Sequence, residues 1–479
     1  MRKATLLFKS DIDFTGDHLY KKMLLFIVPV ILTSLLQLLY SSADLFVVSR
    51  WGGGASAMAA VGDNGSLLNL LVNTFVAVSV GANIVVAKEN GEKDAAKADK
   101  AIRSSLFIAV MISVPVAIAG YFLAPSILTW MSTPTENGIR EMATTYLQIY
   151  FMGVPFIMVF NFGSALLRAL GDSRRPLYAL GLCGLINLGL NFLFVLVFHL
   201  GVAGVAYTTV ISEALEAALV IFFLCSKRNE FARLKPSKPF IDKEECGKVL
   251  SNGIPSGLET LIFSISNVVI QAEANHYASY LAGNTASDNI EGYIWIVLEA
   301  FAISVSTIVA QNLGALNEKN LRKTLSYSII SILGLGVILG GISAIFRYDL
   351  IKIFLVEGDD HALFEASLEA GASRLLLMSL TYWLCALMDC FSGYYRGLGH
   401  SIIPTIVVLL CALGFRLVFV YCIYGLIPSC HNFLFLYSSY PISWALALIV
   451  DLFLLRPFNK QASAYIAKKT SLVSDRSIA

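Results

Sequence analysis

Long apolar stretches alternate with short polar segments along the whole chain, and twelve of them are long enough to matter. They run over roughly 23–49, 55–87, 103–130, 141–168, 175–198 and 202–226, then 248–281, 290–313, 322–346, 366–396, 402–426 and 431–457. A helix needs about 20 mainly apolar residues to cross the hydrocarbon of a bilayer. Several stretches exceed that minimum, so tilt or extension beyond the membrane is expected. The alternating pattern of barrel strands is absent, and lipid leaves no partner for an unpaired backbone group, so the pattern predicts helices. Composition agrees. Of 479 residues 57% are hydrophobic and only 14% charged, where a soluble protein carries about 25% charged residues. That excludes soluble domains, disorder and a coiled coil. Seven of the eight cysteines fall in or beside apolar stretches and only Cys430 lies in a predicted external loop, so no disulfide framework is implied.

Charge then sets an orientation. Basic residues cluster in the N-terminal tail and in every second loop, and 29 of the 35 Lys and Arg fall on that one side. The opposite side holds Arg50, Arg140, Arg347, Lys352 and Arg374, while Arg416 sits within a span. Positive residues stay in the cytoplasm, so both termini are expected there, in a multi-pass protein of the plasma (inner) membrane. The first apolar run follows charge and lacks a small-residue cleavage site, so no cleaved leader is expected. The predicted organisation is a cytoplasmic tail over 1–22, an N-lobe of helices 1–6 over 23–226 and a cytoplasmic linker over 227–247. A C-lobe of helices 7–12 over 248–457 and a cytoplasmic tail over 458–479 complete it.

The two halves echo each other. IVPVILTSLL at 27–36 parallels GIPSGLETLI at 253–262 and aligns Pro29 with Pro255. AKENG at 87–91 parallels AQNLG at 310–314. LLRALGDSRRP at 166–176 parallels YYRGLGHSIIP at 394–404, so that Arg168, Gly171 and Pro176 each recur 228 residues later. Six spans per half is an even number, so both halves enter from the same side and their pseudo-twofold runs along the membrane normal. Two six-helix bundles around a midplane cavity suit transport by alternating access.

Ionisable groups within spans are expensive and usually functional. We single out Asp44, Glu213, Glu216, Glu259, Glu273, Glu299, Asp389 and Arg416. Gln37, Tyr40 and Asp44 share one helix face. Asp44 can trade a proton for a cationic substrate or for Na⁺, or stand as a fixed hydrogen-bond partner of neighbouring helices. Pro29 removes one intrahelical bond 15 residues earlier, and is a candidate hinge or a static kink. A buried Arg416 needs a carboxylate partner, expected from Glu259, Glu299 or Asp389 as a structural ion pair. Glu273, Glu299, Glu259 and Asp389 are otherwise the candidates for lining a substrate cavity. No zinc-protease, serine-hydrolase, nucleotide-binding or paired-cysteine motif stands out, so no enzyme, nucleotide or metal chemistry is expected.

QLLYSSADLFVVSRWGGGASAMAAVGDNGSLLNLLVNTFVAVSVGANIVVAK at 37–88, LRALGDSRRPL at 167–177, GVAGVAYTTVIS at 201–212 and YRGLGHS at 395–401 occur in an order and spacing that resemble the multidrug and toxic compound extrusion (MATE) family, prokaryotic type. The resemblance implies an all-α polytopic fold of twelve transmembrane helices in two bundles, V-shaped, that exports organic compounds against inward H⁺ or Na⁺. Carried over residue by residue, Asp44 matches the acid of the N-lobe cation site, and Gln37 and Tyr40 match its polar neighbours. Asn187, Asn191 and Thr209 match its fifth- and sixth-helix partners. Asn191 departs from a position that is often Asp, which removes one acid from a site able to hold Na⁺. The function expected is therefore a secondary-active multidrug antiporter for organic, cationic compounds. It needs no cofactor beyond the coupling ion H⁺ or Na⁺, contacts membrane lipid but no nucleic acid, and acts as a monomer. The alternative is a lipid-linked oligosaccharide flippase of the same architecture, which should carry a more cationic cleft.

Overall fold

A computed structural model describes residues 12–52, 54–131, 133–226, 231–235, 241–355, 361–428 and 431–478. Gly53, Cys430, the first eleven residues and parts of the 227–247 linker lie outside the described residues. Twelve helices among the described residues are long and apolar enough to cross a membrane, and no strand occurs among them. We number them α1 (Leu19–Trp51), α2 (Gly54–Glu92), α3 (Ala95–Trp130), α4 (Ile139–Ala169), α5 (Arg174–Val197) and α6 (Gly201–Cys225). The second set is α7 (Lys243–Ala274), α8 (Leu281–Gly314), α9 (Glu318–Ile345), α10 (His361–Gly397), α11 (Ile402–Tyr424) and α12 (Phe433–Ile478). Pro29 lies inside α1 without ending it, and its carbonyl accepts the Thr33 hydroxyl at 2.7 Å.

The chain forms two compact units. The first holds the residues up to Asp13 together with Leu24–Gly257, and the second holds Phe14–Met23 with Leu258–Ala479. The division falls inside α7, ten residues beyond the linker boundary expected at 247/248. The physical reason is glycine. A Cβ on Gly253 would lie 2.5 Å from the Val78 carbonyl, and one on Gly81 would lie 2.4 Å from that of Val249. Bare backbones thus let the first turns of α7 pack on α2 within the first unit.

Within the first unit α4 is the central helix, packed against α2, α3 and α6. Within the second, α8 and α10 are the central pair, flanked by α9 and α12. The internal duplication is visible in the backbone. At the end of α4 the Gly171 N–H bonds the Arg168 carbonyl and the Asp172 N–H that of Leu167. At the end of α10 the Gly399 N–H bonds Arg396 and the His400 N–H bonds Tyr395. Both glycines are left-handed, with φ of 93° and 90°, as this helix-ending turn requires. The second echo behaves alike. Lys93 and Leu316 are left-handed at φ 58° and 57°, and Asp94 and Asn317 then cap the next helix through the N–H groups of Lys97 and Asn320.

Helices α8 and α10 run parallel and touch backbone to backbone at several heights. Added Cβ atoms would lie 2.5 Å from the Gly283 carbonyl at Gly371, 2.4 Å from that of Ala302 at Gly393 and 2.8 Å from that of Ser306 at Gly397. Gly341 of α9 meets nothing within 4 Å. Overpacking a close contact costs roughly 1–3 kcal/mol. Gly371→Ala should therefore lower the thermal unfolding midpoint of purified protein clearly, whereas Gly341→Ala should leave it within error. Equal midpoints for the two variants would contradict the close α8–α10 contact.

Candidate functional site

Asp44 lies two turns from the end of α1 and is 4% exposed. Two neighbouring helices supply its partners, both neutral. From α5, Asn191 donates its amide Nδ2 to Asp44 Oδ1 at 2.6 Å. From α6, Thr209 Oγ1 lies 3.1 Å from Asp44 Oδ2. The sequence NLGLN places Asn187 and Asn191 one turn apart on the same face of α5. Asn191 Nδ2 accordingly also donates to Asn187 Oδ1 at 2.9 Å, so both of its amide hydrogens are engaged. Asn191 Oδ1 accepts the hydroxyl of Thr208. Asn187, Asn191 and Thr208 are all essentially shut off from the surface.

Each threonine hydroxyl has one hydrogen and more than one acceptor within reach. Thr209 Oγ1 lies 2.9 Å from the Val205 carbonyl, and Thr208 Oγ1 lies 2.8 Å from the same carbonyl. When Asp44 is ionised, Thr209 can give its hydrogen to Oδ2. When Asp44 carries a proton, it can donate to Thr209 Oγ1 while Thr209 turns its hydrogen to Val205. The cage therefore accommodates both protonation states without moving a heavy atom.

Of the residues expected around Asp44, Asn191 and Thr209 contact it directly and Asn187 contacts it through Asn191. No hydrogen bond joins Gln37 or Tyr40 to Asp44 among the described residues. Tyr40 instead packs its ring beside Gly184 of α5, and its hydroxyl is buried without a partner. Glu216 is buried close by in α6, and one carboxyl oxygen of Glu213 is buried without a hydrogen bond, 2.7 Å from where a Cβ on Gly153 would stand. Thr208 was missed by the sequence reading, although the doubled threonine in AYTTV was its signal.

The C-lobe acids do not gather into one site. Glu259 is buried and bonds Arg396 of α10 at 2.5 Å. Glu273 lies near the end of α7, half-buried and 3.4 Å from His276. Asp389 and Glu299 are half-buried, and Asp389 has the Cys385 thiol as its neighbour. The carboxylate partner expected for Arg416 is not found among the described residues. Arg416 lies in α11, and among the described residues its hydrogen bonds go to Ser266, Asn267 and Ser443, while Glu259 holds Arg396. Arg374, counted with the basic residues opposite the cytoplasmic side, lies inside α10, 3% exposed, bonded to Asp288 at 2.6 Å and Glu291 at 2.9 Å of α8. Asp451, buried inside the apolar run of α12 with neither carboxyl oxygen hydrogen-bonded, also escaped the sequence reading.

A duplicated bundle of twelve apolar helices, holding a buried acid among neutral donors, defines a polytopic membrane transporter. Comparison with known proteins gives the family. Residues 29–193 and 255–422 match the MatE family, and the chain belongs to it, as the motifs around Asp44, Arg168 and Arg396 imply. It is a transporter and not an enzyme. The chain is similar to the probable multidrug resistance proteins YpnP and YoeA of Bacillus subtilis (strain 168). YpnP is 29% identical over 64% of this chain and 68% of the relative, and YoeA 27% identical over 82% and 85%. The fold matches that of a MOP superfamily transporter from Pyrococcus furiosus with a TM-score of 0.84, at 21% identity, over 94% of this chain and 97% of the other.

Thr208→Val removes the side-chain hydroxyl that Asn191 Oδ1 accepts. Leaving a buried amide oxygen unmatched costs about 1–3 kcal/mol. The variant should unfold at a lower temperature than Ser42→Ala, whose hydroxyl is exposed and bonds its own helix. Indistinguishable thermal midpoints for the two would contradict the Asn191 network.

Proposed function

We propose that the protein exports organic cations across the plasma membrane by alternating access, in exchange for protons taken up and released at Asp44. The observation that carries this reading is the cage itself. Asp44 is buried, has no cationic partner among the described residues, and is held by groups able to serve both its ionised and its protonated forms. An unpaired carboxylate in hydrocarbon costs several kcal/mol, and a proton or a positively charged substrate removes that cost. Occupancy by one then excludes the other, which is the requirement of antiport.

Protons suit this site better than Na⁺. A hard cation takes oxygen ligands, whereas Asp44 Oδ1 faces an amide N–H and Asn191 has both amide hydrogens engaged. Asn191 in place of an acid points the same way. Orientation with both termini in the cytoplasm follows from the 29 basic residues on one side. The multidrug resistance names of YpnP and YoeA support organic compounds as cargo.

The test is dye movement in proteoliposomes under an imposed H⁺ or Na⁺ gradient, with ethidium as the cation. Wild type should move ethidium under the proton gradient alone. Asp44→Asn should abolish gradient-driven movement by a factor of about 100 or more, as loss of an essential proton carrier does, while remaining folded. Full activity in Asp44→Asn would eliminate the coupling role, and activity under Na⁺ alone would replace H⁺ by Na⁺.

A further inference from the structure

The guanidinium of Arg416 is fully buried and lies inside the second unit. A guanidinium carries five N–H donors. Nε donates to Ser443 Oγ at 3.1 Å, and Nη1 to Ser266 Oγ at 3.1 Å and Asn267 Oδ1 at 2.8 Å. Nη2 is buried with no hydrogen bond among the described residues. Tyr440 and Phe263 hold the guanidinium carbon at 4.1 and 5.2 Å from their ring centres. Each of these partners is neutral. The charge is therefore solvated on three donors and stacked on rings, and among the described residues no anion answers it.

Three carboxylates of this unit are committed to other cations. Glu259 holds Arg396, and Asp288 and Glu291 hold Arg374. The backbone adds an independent sign. Helix α11 passes through π-helical turns over Leu409–Gly414 and Phe419–Tyr424, on both sides of the α turn Phe415–Val418 that carries Arg416. Such turns are rare and cluster at functional sites. The first of them supplies the Ala412 carbonyl that accepts the Ser266 hydroxyl, and so orients one of the three neutral acceptors. Asn267, Phe263 and Tyr440, which touch the guanidinium, are each half-buried.

We propose that Arg416 anchors a ligand site within the C-lobe that takes the carboxylate of an organic substrate. The chemistry selects a monoanion. One guanidinium offers a single charge, and its unmatched donors sit on one nitrogen. Asn267 gives its oxygen to Nη1, which leaves the Nη2 hydrogens to the ligand. A phosphate dianion would bring more charge than this site offsets. The substrate range then includes organic anions and zwitterions beside the cations that Asp44 serves. This inference rests on the export reading above.

The test uses full-length protein in proteoliposomes with an imposed proton gradient, and two dyes, a fluorescein methylated at its phenol so that the carboxylate is its one charge, and ethidium as the cation. Wild type should move both. Arg416→Met should slow fluorescein at least about tenfold, the effect of truncating one partner of a buried charge pair, and leave ethidium nearly unchanged. Ethidium transport by the variant certifies its fold. Arg416→Lys, which keeps the charge, should retain part of the fluorescein rate. A wild type that moves ethidium but not fluorescein, or an Arg416→Met that moves both like wild type, would overturn the carboxylate site and leave the export reading standing. If neither dye moved, the export reading would fall and this inference with it. Should Arg416→Met fail to fold, fluorescein anisotropy with wild type in detergent still decides. Benzoate should displace the dye and benzylamine should not, and displacement by benzylamine alone would sink the site.

Discussion

Hydrocarbon gives a polar group no water to fall back on, so every charge inside this protein has to be answered by another part of the chain or by something that binds. That constraint sorts the ionisable residues more sharply than their positions in sequence do. Arg374 and Arg396 are answered by carboxylates at hydrogen-bond distance. Among the described residues Asp44 is answered by an amide and a hydroxyl, and Arg416 by two hydroxyls, an amide oxygen and two aromatic faces. The first pair is finished chemistry. The second pair is open, with an acid in one unit and a base in the other. An exchanger needs charges that are incompletely satisfied, because a fully paired one has nothing to trade.

The fold was legible because lipid makes the signal long and repetitive. Twelve apolar runs predict twelve helices, and the helices observed match them within a few residues at most ends. The duplication was equally legible, since the glycine of each ALGDS-like or GLGHS-like turn is required by a left-handed backbone at Gly171 and Gly399. The packing of α7 on α2 is less visible, because glycines 81 and 253 permit it through contact and not through polarity.

The N-lobe site was partly legible for a related reason. Asp44 is an acid stranded in an apolar helix, which a reading of hydropathy finds, and Asn187, Asn191 and Thr209 came with the family resemblance. Gln37 and Tyr40 share a helix face with Asp44 yet make no hydrogen bond to it, since sharing a face fixes direction and not reach. Pairing across helices was the least legible feature. Nothing in the sequence says that Glu259 reaches Arg396 in preference to Arg416, or that Asn284, Asp288 and Glu291 on α8 converge on Arg374. Those partners are set by the height at which helices meet, and Arg416 meets α7 at Ser266 and Asn267, two turns beyond Glu259.

The glycine contact between α8 and α10 bears on how the C-lobe can change. Along that line there is no room for a methyl group, so no polar side chain can be introduced there without forcing the pair apart. New specificity in this unit has to be written on helices that do not share the contact. Ser266 and Asn267 on α7, Arg416 on α11 and Ser443 on α12 all lie off it, and at the α7 position 226 residues after Asp44 the chain carries Ile270. A scaffold that is immutable along one axis thus leaves its neighbours free to diverge, and two halves that began alike can come to hold charges of opposite sign.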